Sequence, residues 1–436
     1  MAVSTFGRSS KMALAGADRD GFRRIAIAQV LSVFLLAALS GSSAALAVVT
    51  APNGTRTDAL NLLPEVQEAY DHFYNLDYDG AVERFQKIQR AHPENPISTV
   101  YVLNTTVFRE LYRLGLLDTT LYVNDGFLSG KHPVVEDTRV SRQVDALAAQ
   151  AIRIANAQLH QNPQDVDALF ARGYARSLRA TYMAMVEKSY LSALAVALSA
   201  RRDHEQVLRE DPKYTDAKLV VGVHEYVVGS LPLPLKMMAG LVGISGSKSK
   251  GLDYLRDDGK NGVITTTGAN TSLALFLRRE AQYPEAIADI DRMVARYPHD
   301  FLFRLEYANL LKDDGQGMPA IAAYRAILQQ ADKPGNPSSG YFPNAHWEMA
   351  WYGLGEALRG QRYIAEAASA YETAAMQPTI SSLLKRRTLL AAGEMYDLLH
   401  QRDKALVQYA AVIAVGGDTS ETDRALRYQH SPYKGR

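Results

Sequence analysis

Residue groups able to do chemistry are few in this chain, and each lacks a necessary member. His224-Glu225 sets an imidazole beside a carboxylate, as in the first half of a zinc metalloprotease helix. The second histidine such a helix needs four residues on is Val228. The pair therefore reads as buried or groove-facing polar residues. His346-Trp347-Glu348 has no third ligand and reads as packing at a helix start. Gly240, Gly243, Gly246 and Gly251, with Lys248 and Lys250, have the composition of a phosphate-cradling loop, but no Gly-Lys-Ser/Thr follows a correctly spaced glycine pair and no strand precedes them. Nucleophile elbow, paired catalytic carboxylates and dinucleotide fingerprint are missing as well. The sequence predicts no catalytic residue, no metal site and no cofactor. Its tyrosines could stack on sugars or bases, yet Tyr324, Tyr371 and Tyr409 fall where a core claims them first.

What could act instead is a row of side chains on helices, and the helices come from a repeat. Ala274, Leu277, Ala286, Ile290, Met293 and Pro298 return 34 positions on as Ala308, Leu311, Ala320, Tyr324, Ile327 and Asp332. The same spacing runs through Ala69, Phe73, Ala81, Phe85, Ile88 and Pro93, with residues 77–80 as the turn. It recurs in Leu354, Gly355, Leu358, Ala367, Tyr371 and Pro378, and in Gly393, Tyr396, Ala405 and Tyr409. The pattern is a 34-residue period with small residues on facing helices, an aromatic or aliphatic residue four later and a proline at the end of the clearest copies. In these residues the chain resembles tetratricopeptide repeat (TPR) proteins. The resemblance implies an all-α TPR-type solenoid of helical hairpins, wound into a right-handed superhelix that binds partners along its concave groove.

On the first helix of each hairpin, the residues three before, one after and four after the small residue turn toward the concave side. Around Ala274, Ala308, Gly355 and Gly393 these are Thr271, Leu275 and Arg278; Leu305, Asn309 and Lys312; Tyr352, Glu356 and Arg359; Leu390, Glu394 and Asp397. The row is basic from Arg278 to Lys312 and acidic at Glu394 and Asp397. Thr271, Arg278, Asn309, Lys312, Tyr352, Glu356 and Arg359 are the expected partner-binding residues. Arg278, Asn309, Lys312 and Arg359 have the chemistry to hold a peptide carboxylate, although solvated charges on an exposed face have the same composition.

The 436 residues are 47% hydrophobic and 22% charged, the balance of a folded chain with a large core, and their apolar positions recur at helical spacing. There is no cysteine, which excludes disulfides, thiol catalysis and an acylated N-terminal cysteine. Residues 1–47 hold five basic and two acidic residues; from the overall charge of +1, the remainder carries −2. A near-neutral body offers no basic surface for nucleic acid. Basic residues up to Arg24, the apolar run Ile25–Leu39 and Ala45-Leu46-Ala47 follow the order of a secretory signal peptide cleaved after Ala47. A periplasmic or cell-envelope location follows, with membrane association only if the signal segment is retained.

The remaining stretches divide as follows. Residues 48–63 read as a linker and 64–265 as an irregular TPR-like helical region. This region contains a helix over Ile97–Leu114, an irregular insertion over Asp118–Pro133, a long helix over Thr138–Gln161 and a hairpin from Asp165 to Pro212. In that hairpin Leu191, Leu194, Ala195 and Leu198 form an apolar face suited to burial. Thr215–Gly229 is rich in valine but placed as a helix, and a short helix follows over Pro234–Leu241. The order of a valine-rich helix ending Gly229-Ser230-Leu231-Pro232, a Leu235-Lys236-Met237-Met238 helix, a Leu241–Gly246 turn and the Gly251-Leu252 helix resembles the middle of a eukaryotic TPR family. Its members include the fungal inclusion-body-clearance protein and animal lipid-metabolism relatives. That resemblance implies a scaffold without catalytic residues. Residues 266–332 are a tandem TPR pair, 333–344 an inserted loop, 345–428 the C-terminal TPRs and cap, and 429–436 a disordered tail.

The function these features predict is a non-catalytic scaffold that binds a protein or peptide in its groove. A binder of lipid or another apolar ligand through Leu231–Ile244, and an enzyme of unrecognised type, are the alternatives.

Overall fold

The computed structural model describes residues 51, 54–123, 134–231, 236–237, 244–331, 342, 345–417 and 419–435. The expected signal segment, most of the expected 118–133 and 333–344 insertions and most of 232–243 lie outside the described residues. Within them are 17 α-helices and no strand, and each helix packs against the next. Eight hairpins result. They pair α1 (Pro64–Tyr74) with α2 (Tyr78–Ala91), α3 (Pro96–Arg113) with α4 (Thr138–Gln161), and α5 (Val166–Met185) with α6 (Tyr190–Glu210). Next come α7 (Lys218–Ser230) with α8 (Lys248–Asn261), and α9 (Thr266–Arg279) with α10 (Tyr283–Arg296). The last three are α11 (Phe301–Asp313) with α12 (Gly317–Leu328), α13 (Trp347–Gly360) with α14 (Ile364–Ala375), and α15 (Ser382–Leu398) with α16 (Arg402–Val415). A final helix, α17 (Ser420–His430), lies on α15 and α16 and buries Ala425.

Local chemistry sets these boundaries. Asp77, Asp137, Asp165 and Asp300 accept hydrogen bonds from otherwise unpaired amides at helix starts, and Pro64 and Pro96 stand in first turns. Most hairpin turns pass through one residue in the left-handed region. Leu76, Lys188, Ala281, Arg362 and His400 do so at φ between 56° and 64°, while Gly115 at φ 67° and Gly315 at φ 78° avoid the clash of a Cβ with its own carbonyl.

Packing inside the hairpins follows the small-residue pattern. A Cβ added to Gly355 would stand 2.6 Å from the Tyr371 ring, and one on Gly393 would stand 2.5 Å from the Tyr409 ring. The rings therefore fill the space the glycines leave. Their hydroxyls pass on into the groove: Tyr324 donates to Asn309 Oδ1 at 2.5 Å, Tyr409 to Asp397 Oδ2 at 2.8 Å, and Tyr371 to Glu356.

Three expectations need correction. In α6 the buried stripe is Ala193, Ala197, Ala200, His204 and Val207, while Leu191 is 70% exposed and Leu194, Ala195 and Leu198 are half-buried or exposed. Small residues win because α5 comes close: a Cβ on its Gly173 would lie 2.4 Å from the His204 ring. The expected linker is instead threaded through the molecule. Thr55 donates to Asn261 O at 3.0 Å, Arg56 N to Lys213 O at 3.0 Å and Thr57 to Asp216 Oδ2 at 3.0 Å, with Thr57, Asp58 and Asn61 buried. The segment after α17, expected to be disordered, is described through Gly435 and seated on α13 and α15.

The winding also brings distant hairpins together. Asn75 Oδ1 accepts from His299 N at 3.2 Å, the Tyr74 and Tyr297 rings lie 4.9 Å apart, and His346 Nε2 is 2.7 Å from Tyr112 O. The first hairpin and α3 are thereby set against α10, α11 and the start of α13.

Candidate partner-binding groove

The seven expected groove residues fall into two different environments. In the middle of the chain, Thr271 and Arg278 on α9 and Asn309 on α11 lie against residues 117–119 and the first hairpin, and Lys312 follows on α11. Thr271, Arg278 and Asn309 are each at most 6% exposed. Thr271 donates to Thr267 O at 2.9 Å, inside its own helix. Arg278 reaches Thr119 Oγ1 at 3.0 Å, Glu306 Oε2 at 3.0 Å and Asp313 Oδ2 at 2.7 Å. Burial works against its charge, but Glu306 and Asp313 outweigh it and hold the guanidinium above its ordinary range. Burial pushes the Glu306 carboxyl up while Arg278 pulls it down. With Arg278 and Thr119 both donating to it, the carboxylate is the form this geometry satisfies. Lys312 is a quarter exposed and sits 2.6 Å from Asp313 Oδ1. Arg278 does not open its guanidinium to an outside ligand, contrary to the expectation, because its donors are spent inside the chain.

Beneath the first hairpin a cavity of about 40 Å³ remains between Phe73, Phe108, Ile290 and Phe303. That is room for a few waters and not for an acyl chain. Asp300 borders it, starting α11 and accepting from Phe303 N at 2.9 Å, and burial pushes its carboxyl up to about 7. Of Leu231–Ile244, Leu231 is buried and Met237 exposed, and residues 232–235 and 238–243 lie outside the described residues.

The C-terminal stretch is different. Tyr352, Glu356 and Arg359 on α13 remain partly exposed. Behind them Glu394 and Asp397 of α15 are buried acceptors held by arginines. Arg359 approaches Glu394 Oε2 at 3.1 Å, Arg424 also binds Glu394, and Arg402 donates to Asp397 Oδ1 at 2.8 Å. The result is a shallow polar trough with an aromatic side: Tyr352 lies 5.8 Å from the Tyr371 ring, and Tyr428 borders the far end. Asp397 was on the concave list but not among the seven. The signal that could have promoted it is Tyr409, twelve residues on, whose hydroxyl it accepts.

Elsewhere, His224 and Glu225 are buried between α6, α7 and α8, with Glu225 accepting from Ser247 N and Lys250 Nζ, both at 3.0 Å. Among the described residues no group of three potential ligands is placed to hold a metal ion, and no helix is long and apolar enough to cross a membrane.

No family model and no curated protein matches this sequence. Solved structures similar to it include the APC/C hetero-tetramer Cut9-Hcn1, at 13% identity and a TM-score of 0.47 over 84% of this chain and 55% of that one. A tetratricopeptide repeat protein from Parabacteroides merdae is 13% identical at a TM-score of 0.32, over 75% of this chain and 97% of that one. Yeast Tom70 is 12% identical at 0.33, over 84% and 87%. The chain spans little more than half the length of the Cut9-Hcn1 chain it matches. The fold rests on the hairpins themselves: their 34-residue period, their small-residue-to-ring packing and their sequential stacking make this an all-α tetratricopeptide-type solenoid.

Proposed function

We propose that this protein is a non-catalytic interaction scaffold that binds an extended segment of a partner protein in the trough formed by α13, α15 and α17. One observation carries the reading. Tyr352, Glu356 and Arg359 are three members of the predicted row left partly exposed side by side on one helix, on a floor whose acceptors are fixed by internal pairs. A prefixed polar surface loses little freedom on binding, which favours recognition by shallow contacts. The order of basic, apolar and small residues at the start of the chain supports export to the periplasm or envelope.

The test places a photo-reactive amino acid at position 352 of the exported protein. A defined polypeptide should be captured there, and capture should be lost when Arg359→Ala is added. Capture that survives Arg359→Ala, or that is equal from the outward-facing position of Val407, would overturn the reading. Mass analysis of the mature chain should show a start at residue 48.

A further inference from the structure

The trough already holds a peptide, and it is the chain's own. After α17 the backbone leaves the helix at Ser431 and runs as residues 431–435 across the ends of α13 and α15, with Ser431, Pro432, Lys434 and Gly435 exposed and only Tyr433 half-buried. Tyr433 makes three kinds of contact. Its amide donates to Asp397 Oδ2 at 2.8 Å, and its hydroxyl accepts from Arg359 Nη2 at 3.2 Å. Its ring stands edge-on to Tyr428 at 5.5 Å, with the Arg359 guanidinium 5.9 Å from its centre.

Each acceptor or donor is prepared without Tyr433. Arg402 and the Tyr409 hydroxyl orient Asp397, and Glu394 anchors Arg359. One backbone bond, one aromatic anchor and one cation against a ring, all made by an otherwise solvated strand, is how short linear segments are recognised.

Resting on the proposed trough, we infer that its ligand is an extended segment carrying a Pro-Tyr pair, and that residues 431–435 are a tethered copy a partner must displace. Arg359 and Asp397 read the tyrosine from both ends: the hydroxyl that phenylalanine lacks, and the amide that proline lacks. The proline before it holds the segment extended. A short tether supplies an effective concentration on the order of millimolar, so free peptide must compete against it.

The probe is a fluorescein-labelled, end-blocked peptide His-Ser-Pro-Tyr-Lys-Gly, matching residues 430–435, titrated by polarisation into the full-length chain. Tyr433→Ala, which empties the site, should bind it roughly 10-fold or more tighter than the native chain. Binding should vanish when the peptide's tyrosine is alanine, or when Arg359→Ala is added to Tyr433→Ala. A helical Tyr433→Ala chain that binds no tighter than native, or that binds the alanine peptide equally, overturns the inference. A second measurement needs no variant: excess unlabelled peptide should speed hydrogen exchange of the Tyr433 amide in the native chain, and an unchanged rate also overturns it. The two readings fail separately. A photo-captured partner lost with Arg359→Ala, but no peptide effect, removes the Pro-Tyr ligand and keeps the trough; Arg359-dependent peptide binding with no captured partner keeps the Pro-Tyr site and removes the partner-protein scaffold.

Discussion

The middle and C-terminal stretches of this solenoid are built from the same hairpin, yet one is closed and the other open. Both have a small residue over a ring and a ring hydroxyl bonded to a groove side chain, Tyr324 to Asn309 in the middle and Tyr371 to Glu356 further on. In the middle, Arg278 is nearly sealed among Thr119, Glu306 and Asp313; in the C-terminal trough, Arg359 leaves about a third of its side chain in solvent. The identity of the residues does not make the difference, since both are arginines four positions after the small residue. What differs is how much of the chain lies against them: residues 117–119, Glu306 and Asp313 enclose Arg278, whereas only the short segment 431–435 touches the exposed side of Arg359. A concave face is a binding site only where the superhelix has not filled it.

The sharpest way to break this comparison is to remove each arginine. Arg278→Ala leaves Glu306 and Asp313 buried without their counter-charge and should cost about 3–5 kcal/mol of stability. Arg359→Ala, at a site open to water, should cost about 1 kcal/mol or less. Urea midpoints of the two variants measure this, and equal losses would mean that the middle groove is not sealed. Next in size is Gly355→Ala, whose methyl would press on the Tyr371 ring, for about 1–3 kcal/mol. Tyr371→Phe should cost about 1 kcal/mol by unpairing Glu356, and Tyr324→Phe more because Asn309 is the better buried of the two acceptors.

Acidity should act on the closed region. Burial raises the Asp300 carboxyl from 3.8 to about 7, so the folded chain holds a proton there that the unfolded chain has lost. That contribution is complete below about pH 4 and is lost as pH rises through about 7. Melting temperatures of the native chain and Asp300→Asn, compared at pH 5 and 8, should show a smaller fall on raising pH in the variant; parallel falls would rule out Asp300 as the source. The smallest effect belongs to the turns. Arg362→Gly or His400→Gly relieves a left-handed backbone and should stabilise by roughly 0.5–1 kcal/mol, read as a small rise in urea midpoint.

These two regions also mark how far the amino-acid order could be read. Hairpin positions were legible because small and bulky residues recur at fixed spacing, and the end of α4 because Asn162-Pro163 closes it. The α6 faces were confused because it carries two apolar stripes, one of leucine and one of alanine, and burial goes to the one that lets α5 approach. Helix geometry placed Arg278 and Arg359 at matching positions of their hairpins, four residues after the small one. Their exposure was not legible, since Arg278 meets Thr119 across 159 positions and no periodic pattern announces such a meeting. The seating of Tyr433 escaped for a related reason: a polar, proline-containing tail has the composition of a solvated one.

An open stack of repeats can begin to form at any unit and grow outward, because each contacts only its neighbours. Here Asn75 waits for His299, 224 residues later, and Tyr112 for His346, 234 residues later. Loop closure over such separations is slow and comes before any stabilising contact rewards it. A chain emerging from the ribosome must therefore hold its first hairpin uncovered until three-quarters of its length exists. The step at which the first hairpin becomes covered is therefore the arrival of α10 and α11, and α3 waits longer still, for the start of α13.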